Sequence, residues 1–377
     1  MAEPRIAIIG AGIAGAASAY YLASRGANHV ILLDKERQPG THSTGRNAAI
    51  LRTAISDPVL HAMARESAAF YMNPPEGFSG PPLLNRTGLY LAATADAEEK
   101  LRSWITRDDC SMGGHEVATT EIHRRVPDLS SGLACAWSFP AEGVFDVHAI
   151  LQGFLRGARA GGVDMRLGCS VDGIRAHEGR VKGLETHEGF LPVDAVLVAT
   201  GGWAKVTPGD KKLELPIVPY RRHLLVTAPD PTLNSRGPAV WIGEDDFYFR
   251  PESGGMLMSA CDTFPVKPEE GELSDSSVLE TLGQKTRRWL PRLAESGAAH
   301  FWAGMRTFAP DERFVVGPDP RLEGLHWAAG LGGHGITCGA AVGNLAASWL
   351  YGPSPDHHCS KAFLPQRLLG IKASSSL

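Results

Sequence analysis

The chain has 377 residues, a formal net charge of −4, 43% hydrophobic residues and 21% charged residues. This balance excludes a disordered, collagenous or coiled-coil protein, and the lack of a basic surplus counts against a dedicated nucleic-acid binder. Six Cys with no close pair give neither a disulfide framework nor a zinc knuckle, and they fit a reducing cytoplasm. The length corresponds to about two domains at ~150 residues each.

The predicted elements begin with a short β-rich run at 5–9. Gly10-Ala11-Gly12-Ile13-Ala14-Gly15 follows, then a helix to about Arg25 with Gly26 as its stop. Its glycines, and the lack of a basic start and cleavage site, separate this region from a signal peptide. Residues 30–33 form an apolar run of buried-strand length closed by Asp34, so 5–34 reads as a βαβ unit. Residues 38–49 are rich in Gly, Ser and Thr and read as a loop entering a helix. Asn73-Pro74-Pro75 and Gly80-Pro81-Pro82 mark another loop. Asp146 caps a predicted helix over 147–160 that Gly161-Gly162 stops, and short strands follow around Met165 and Val171. A buried strand within 194–200 ends in Thr200-Gly201-Gly202. Strands are predicted over 222–227, 239–242, 247–250 and 255–259. Residues 276–293 read as one amphipathic helix, and 330–349 as a glycine-rich turn running into a helix of small residues.

The first glycine motif has a mechanical reading. Gly10 permits a tight turn, Gly12 lets backbone approach a pyrophosphate, and Gly15 lets the helix pack on the strand. The helix start supplies N–H donors and partial positive charge for phosphates. Asp34, 19 residues beyond Gly15, stands where an acid accepts a ribose hydroxyl. Strand before, helix after and acid at this distance together indicate a dinucleotide site. Glycine clusters at 40–45, 201–202 and 330–335 aim at the same ligand and favour FAD, which is long and needs contacts from distant parts of the chain. The last cluster is expected to open a helix whose N–H groups stabilise negative charge on a reduced ring. Two other motifs are refused. His115-Glu116 lacks the second His of a zinc-protease helix because position 119 is Thr, and no metal is expected. Asp356-His357-His358-Cys359 spells the tetrapeptide of membrane palmitoyl transferases without their membrane spans or Cys-rich region, and reads as coincidence.

With Asp34, the run Gln38-Pro39-Gly40-Thr41-His42-Ser43-Thr44-Gly45-Arg46-Asn47-Ala48-Ala49 resembles the FAD-dependent D-amino-acid oxidase/glycine oxidase/sarcosine oxidase family. Within it the likeness is to the bacterial FAD-dependent D-arginine dehydrogenases. Asn73-Pro74-Pro75-Glu76-Gly77-Phe78, Phe247-Tyr248-Phe249-Arg250-Pro251, Trp302-Ala303-Gly304-Met305-Arg306 and Gly332-Gly333-His334-Gly335-Ile336 extend it over nearly the whole chain.

The resemblance implies an α/β fold with an α+β substrate part. A Rossmann-like FAD-binding domain (1–85, 146–215 and 307–377) is interleaved with a substrate domain (86–145 and 216–306) built on a mostly antiparallel sheet. It implies FAD held by Gly10, Gly12, Ile13, Ala14, Gly15, Asp34, Lys35, Ser43, Thr44, Asn47, Ala48, Ala49, Val171, Gly201, Trp203, Gly332, Gly333, His334, Gly335, Ile336 and Thr337. Attachment is expected to be non-covalent, because the position of the sarcosine-oxidase Cys, six residues before Pro310-Asp311, is Gly304. The implied chemistry is hydride transfer from the amine-bearing carbon to flavin N5, giving an imino acid and then a keto acid plus ammonia. Arg222 and Arg306 match positions that grip the substrate carboxylate, and an Arg fork fixes orientation as well as charge. Tyr248 matches a residue donating its hydroxyl to the same group, Arg221 should point away, and His334 should lie near the flavin edge.

The departures concern specificity. Ile50, Arg52 and Ile55 stand where the D-arginine dehydrogenases carry His, Thr and Tyr, and Thr87-Gly88-Leu89 holds no acid for a guanidinium. D-arginine and D-lysine are therefore expected to be poor substrates, because a buried like-charge pair with Arg52 is costly. Arg52 either binds a second carboxylate, on an acidic or N-carboxyalkyl amino acid, or stands at the surface or beside an acid. Gly255-Met256-Leu257-Met258-Ser259 lacks the oxygen-promoting Lys of the sarcosine oxidases, which favours a dehydrogenase passing electrons to a quinone over direct use of oxygen. The expected function is oxidation of the CH–NH bond of an amino acid, foremost a D-amino acid. The alternatives are a secondary amino acid (an opine or N-alkyl amino acid) or a flavin subunit of a hetero-oligomeric dehydrogenase. The expected partners are the small-molecule substrate and the electron acceptor, with peripheral membrane contact and partner subunits left open and no nucleic acid.

Overall fold

In the computed structural model, which describes residues 3–106, 113–206, 213–352, 355 and 360–371, two large sheets carry the chain. The palmitoyl-transferase-like tetrapeptide at 356–359 lies outside the described residues. Ile6–Ile9 sits within a six-stranded sheet, parallel to Val30–Asp34 on one side and Ala195–Val198 on the other. Asp164–Leu167 and Leu325–Ala329 extend it in parallel, and Val315–Pro318 closes one edge antiparallel. These strands are nearly continuous apolar runs because both faces are covered. Ile6 and Ile8 pack under the helices Ile13–Ser24, Pro58–Met72, Val147–Ala160 and Gly339–Leu350, while Ala7 and Leu33 face the three-stranded sheet of residues 171–192. Gly15 makes the first helix's approach feasible: a Cβ there would stand 1.8 Å from the Gly10 carbonyl oxygen.

The second sheet has nine strands drawn from two stretches, 89–139 and 218–308. Its pairings are antiparallel except that of Ala239–Ile242 with Leu89–Ala93. The expected α/β architecture with a mostly antiparallel second sheet is thus the observed one. No helix of the described residues is long and apolar enough to cross a membrane.

Three local expectations differ. Residues 38–49 enter no helix: turns run through Asn47 into the two-residue strand Ile50–Leu51, and the next helix starts at Pro58. Asn47 Oδ1 accepts from Ala49 N at 2.6 Å, and its Nδ2 donates to Thr44 O at 2.6 Å, so side-chain bonds replace helical ones. The predicted 276–293 helix is Val278–Trp289 followed by a separate 3₁₀ turn, Pro291–Leu293, because proline carries no N–H to continue the ladder. The last helix begins only at Gly339. Asp146 caps Val147–Ala160 as expected, accepting from Ala149 N at 2.8 Å.

Candidate active site

A single cavity of about 1640 Å³ is lined from both sheets. Ordinary ligand pockets occupy about 300–1,000 Å³, so this one has room for a dinucleotide and a substrate. Of the predicted site residues, all but Gly15 line it; Gly15 lies in the helix–strand contact beneath.

At one end, Gly10 turns with φ +108°, and its N donates to Leu33 O at 2.7 Å. Asp34 braces this turn: Oδ2 accepts from Ala11 N at 2.6 Å and Oδ1 from Glu36 N at 2.8 Å. Each oxygen keeps a lone pair for a ligand hydroxyl. Thr44 Oγ1 accepts from Ile13 N at 3.0 Å and ties the 38–49 turns to the helix start. Lys35 Nζ stands 3.7 Å from the centre of the Trp203 ring.

The Gly330–Gly335 expectation needs correction. The first N–H groups of Gly339–Leu350 are already used, Ala340 N by Tyr71 Oη at 3.1 Å and Ala341 N by Ser67 Oγ at 2.9 Å. The donors lining the cavity lie before the helix. Among the described residues no acceptor is found for the N–H groups of Gly335, Ile336 and Thr337. Unsatisfied donors on a glycine-rich wall, with the first helix start and Asp34 at the other end, fit FAD in donor chemistry and in span.

At the second sheet, register decides which side chains meet. Val218–Thr227 pairs with Ala298–Phe308 so that Tyr220 opposes Arg306 and Arg222 opposes Gly304. Residues two apart, and residues directly opposite, share a face, so Arg222 and Arg306 project to the same side. Arg221 takes the other face and donates to Glu270 O at 3.1 Å. Arg222 Nε donates to Asp262 O at 3.1 Å. Arg306 is buried and donates through Nη1 to Met305 O at 2.9 Å. Tyr248 is buried with its ring 4.6 Å from Trp241, and burial pushes its phenol up from the ordinary value.

Arg52 reaches the same end of the cavity from the short Ile50–Leu51 strand. Its guanidinium stands 4.1 Å from the Trp241 ring centre, and Nη2 lies 3.3 Å from His334 Nε2. Burial, and then the charges of Arg52, Arg222 and Arg306, push the His334 imidazolium down to about 3, so His334 is neutral and accepts from Arg52. Among the described residues no carboxylate forms an ion pair with Arg52, Arg222 or Arg306. Arg52 is therefore neither at the open surface nor paired with an acid.

Sequence reasoning missed Trp241 and Glu142. Trp241 carried no motif, and the only signal was a large aromatic on a predicted strand. Glu142 is 3% exposed, and its Oε1 accepts from Thr53 N at 2.8 Å and Thr53 Oγ1 at 2.5 Å. Burial pushes its carboxyl from 4.5 up to about 7, against the Thr53 bonds and the Arg52 charge. The native state then holds a proton between these values that the unfolded chain has lost, so stability falls as pH rises through that window. A shift from 4.5 to about 7 corresponds to a loss on the order of 3 kcal/mol. Urea unfolding at pH 5 and pH 8 should show this loss in wild type and not in Glu142→Gln; equal pH dependence in both would contradict it.

Comparison with known proteins identifies the family. The FAD dependent oxidoreductase (DAO) family profile matches residues 5–349, and the chain belongs to that family. Its members bind FAD. The glycine oxidase of Pseudomonas putida is 25% identical over 362 residues, covering 93% of this chain and 95% of that protein. The bifunctional protein ThiO/ThiG of Trichormus variabilis is 24% identical over 355 residues, 92% of this chain and 52% of that protein. The chain thus spans about half the length of several curated relatives it matches. The crystal structure of L-proline dehydrogenase from P. horikoshii superposes with a TM-score of 0.86 at 22% identity, covering 97% of each chain, and shares the fold.

Proposed function

We propose that the chain oxidises the CH–NH bond of an amino acid, in first place a D-amino acid. The observation that carries this is the meeting of Arg222, Arg306 and Tyr248, with no counter-ion for the arginines among the described residues, at one end of a dinucleotide-sized cavity. The amino-acid class is brought to this chain from the glycine oxidase and L-proline dehydrogenase among its relatives. Residues 1–85, 146–215 and 307–377 are taken as the FAD-binding part, and 86–145 with 216–306 as the substrate part. Bound non-covalently there, FAD supplies the two-electron acceptor for a hydride from the carbon bearing a neutral amine, leaving an imino acid that water converts to a keto acid and ammonia. Arg222 and Arg306 grip the substrate carboxylate as paired forks, and Tyr248 donates its hydroxyl to the same group. His334, held neutral, offers no charge to the amine and keeps Arg52 in place. The chain's task is orientation rather than strong base catalysis. A Cβ at Gly304 would stand 2.5 Å from the Arg46 carbonyl oxygen, leaving little room for a Cys tether. The Lys-free strand Gly255–Ser259 supports a quinone-type acceptor.

The anaerobic visible spectrum of the purified protein tests the reading, with D- and L-amino acids added singly. Bleaching of the flavin band by D-amino acids, with D-arginine and D-lysine among the slowest, is the expected result. Bleaching by L-amino acids alone would overturn the handedness. A yellow protein bleached by no amine would overturn the amino-acid reading and direct attention to a missing partner subunit.

A further inference from the structure

We propose that Arg52, Trp241 and His334 form a second anion subsite, so that the substrate is an amino acid bearing a second carboxylate. This rests on the amino-acid reading above and deepens it. Arg52 is built into place from several sides. Trp241 covers one guanidinium face at 4.1 Å, and His334 Nε2 receives Nη2 at 3.3 Å. The backbone behind it is clamped: Glu142 accepts both Thr53 donors, and His61 Nδ1 lies 2.8 Å from Thr53 O. A surface arginine needs no such mount. Among the described residues Arg52 Nε is buried with no hydrogen-bond partner, although the guanidinium carries five N–H donors that seek acceptors. A buried donor left unmet is costly, and the guanidinium lines the cavity with no carboxylate partner among the described residues, so a carboxylate reaching its Nη edge from the cavity supplies the missing anion.

Charge points the same way. Arg52, Arg222 and Arg306 line one cavity, and their charges act on one another. Among the described residues the acids whose charge reaches Arg52 are Glu142, committed to Thr53, and Asp246, exposed in the same cavity lining, and neither forms an ion pair with it. One substrate carboxylate on Arg222 and Arg306 leaves Arg52 without an anion. A substrate with two carboxylates supplies both ends, and its own geometry spans the two mounts. The second carboxylate sits either on the side chain or on the amine nitrogen as an N-carboxyalkyl group, and the two are separable by assay.

The test uses the full FAD-loaded chain and two readouts. In calorimetric titration, glutarate should bind at least tenfold more tightly than valerate, the gain expected of one charge-assisted pair. Arg52→Gln should abolish that preference. Arg52→Lys, which keeps charge but loses the fork, should reduce it and serves if the Gln variant does not fold. No preference in wild type, or one unchanged in the variants, overturns the second subsite. In the second readout, anaerobic flavin bleaching is followed with D-glutamate, N-(carboxymethyl)-D-alanine and D-norvaline. Faster bleaching by D-glutamate than by D-norvaline assigns the carboxylate to the side chain, and faster bleaching by the N-carboxymethyl compound assigns it to the nitrogen. D-norvaline as the fastest overturns the proposal. A glutarate preference with no bleaching by any of the three upholds the subsite and overturns the amino-acid reading, so the two failures are distinguishable.

Discussion

Arg306→Leu should lower kcat/KM for the amino-acid substrate by roughly 10²–10³-fold, about 3–4 kcal/mol. Arg306 is 8% exposed and held by backbone alone, with Nη1 on Met305 O and the Arg46 carbonyl oxygen 3.4 Å away. It comes with no carboxylate partner among the described residues, which leaves its charge available to the proposed substrate carboxylate. Removing it takes away one fork of the proposed carboxylate grip and leaves Arg222 and Tyr248 as its remaining partners. It also leaves the Arg46 carbonyl without that donor. If the role is purely in binding, KM rises and kcat changes little; if orientation is lost, kcat falls as well. Steady-state kinetics with an artificial acceptor reads both. A fall in kcat/KM of less than tenfold, about 1.4 kcal/mol, would remove Arg306 from the carboxylate site.

Gly10→Ala should yield no soluble protein that retains FAD, or a destabilisation above about 4 kcal/mol. Two effects add at this position. Its φ of +108° lies where L side chains rarely go, and a Cβ would stand 2.4 Å from Ala199 O and 2.9 Å from Ala199 C. Both obstacles are backbone of a central strand's end, so neither can swing aside. The turn that Asp34 braces through Ala11 N would have to open, and the cofactor cradle would open with it. Gly297→Ala is the control, because none of the described residues lies within 4 Å of a Cβ there and its φ is not positive; its change should stay within about 0.5 kcal/mol. Thermal unfolding and flavin content of both variants decide the matter. A stable, yellow Gly10→Ala protein would show that the turn can relax.

The fold was legible where physics is local. A run of β-branched residues, a glycine turn, a helix and Asp34 define the βαβ unit within 34 positions, and the Asp146 cap acts on a residue three positions away. The glycine walls of the cavity were legible for the same reason. Misreadings arose where side chains competed with the backbone. Asn47 bonds its own neighbours and prevents a helix, and Pro291 ends one that amphipathic spacing would continue. The first-turn donors of Gly339–Leu350 look free in sequence, yet Ser67 and Tyr71, some 270 positions earlier, consume them. The mount of Arg52 was hidden in the same way. Trp241, Glu142 and His334 approach it from three distant stretches, and nothing in their spacing announces the meeting.

The cavity wall is assembled from widely separated parts of the chain: 9–56, Lys100, 169–174, 198–203, 216–222, 241–269 and 305–337. During synthesis the glycine turn and Asp34 emerge first, and the wall carrying Gly332, His334 and Thr337 follows only about 300 positions later. No shorter nascent piece can offer the flavin a complete berth. Cofactor capture therefore follows synthesis of both walls, and it stabilises the folded state by mass action rather than guiding the earliest steps.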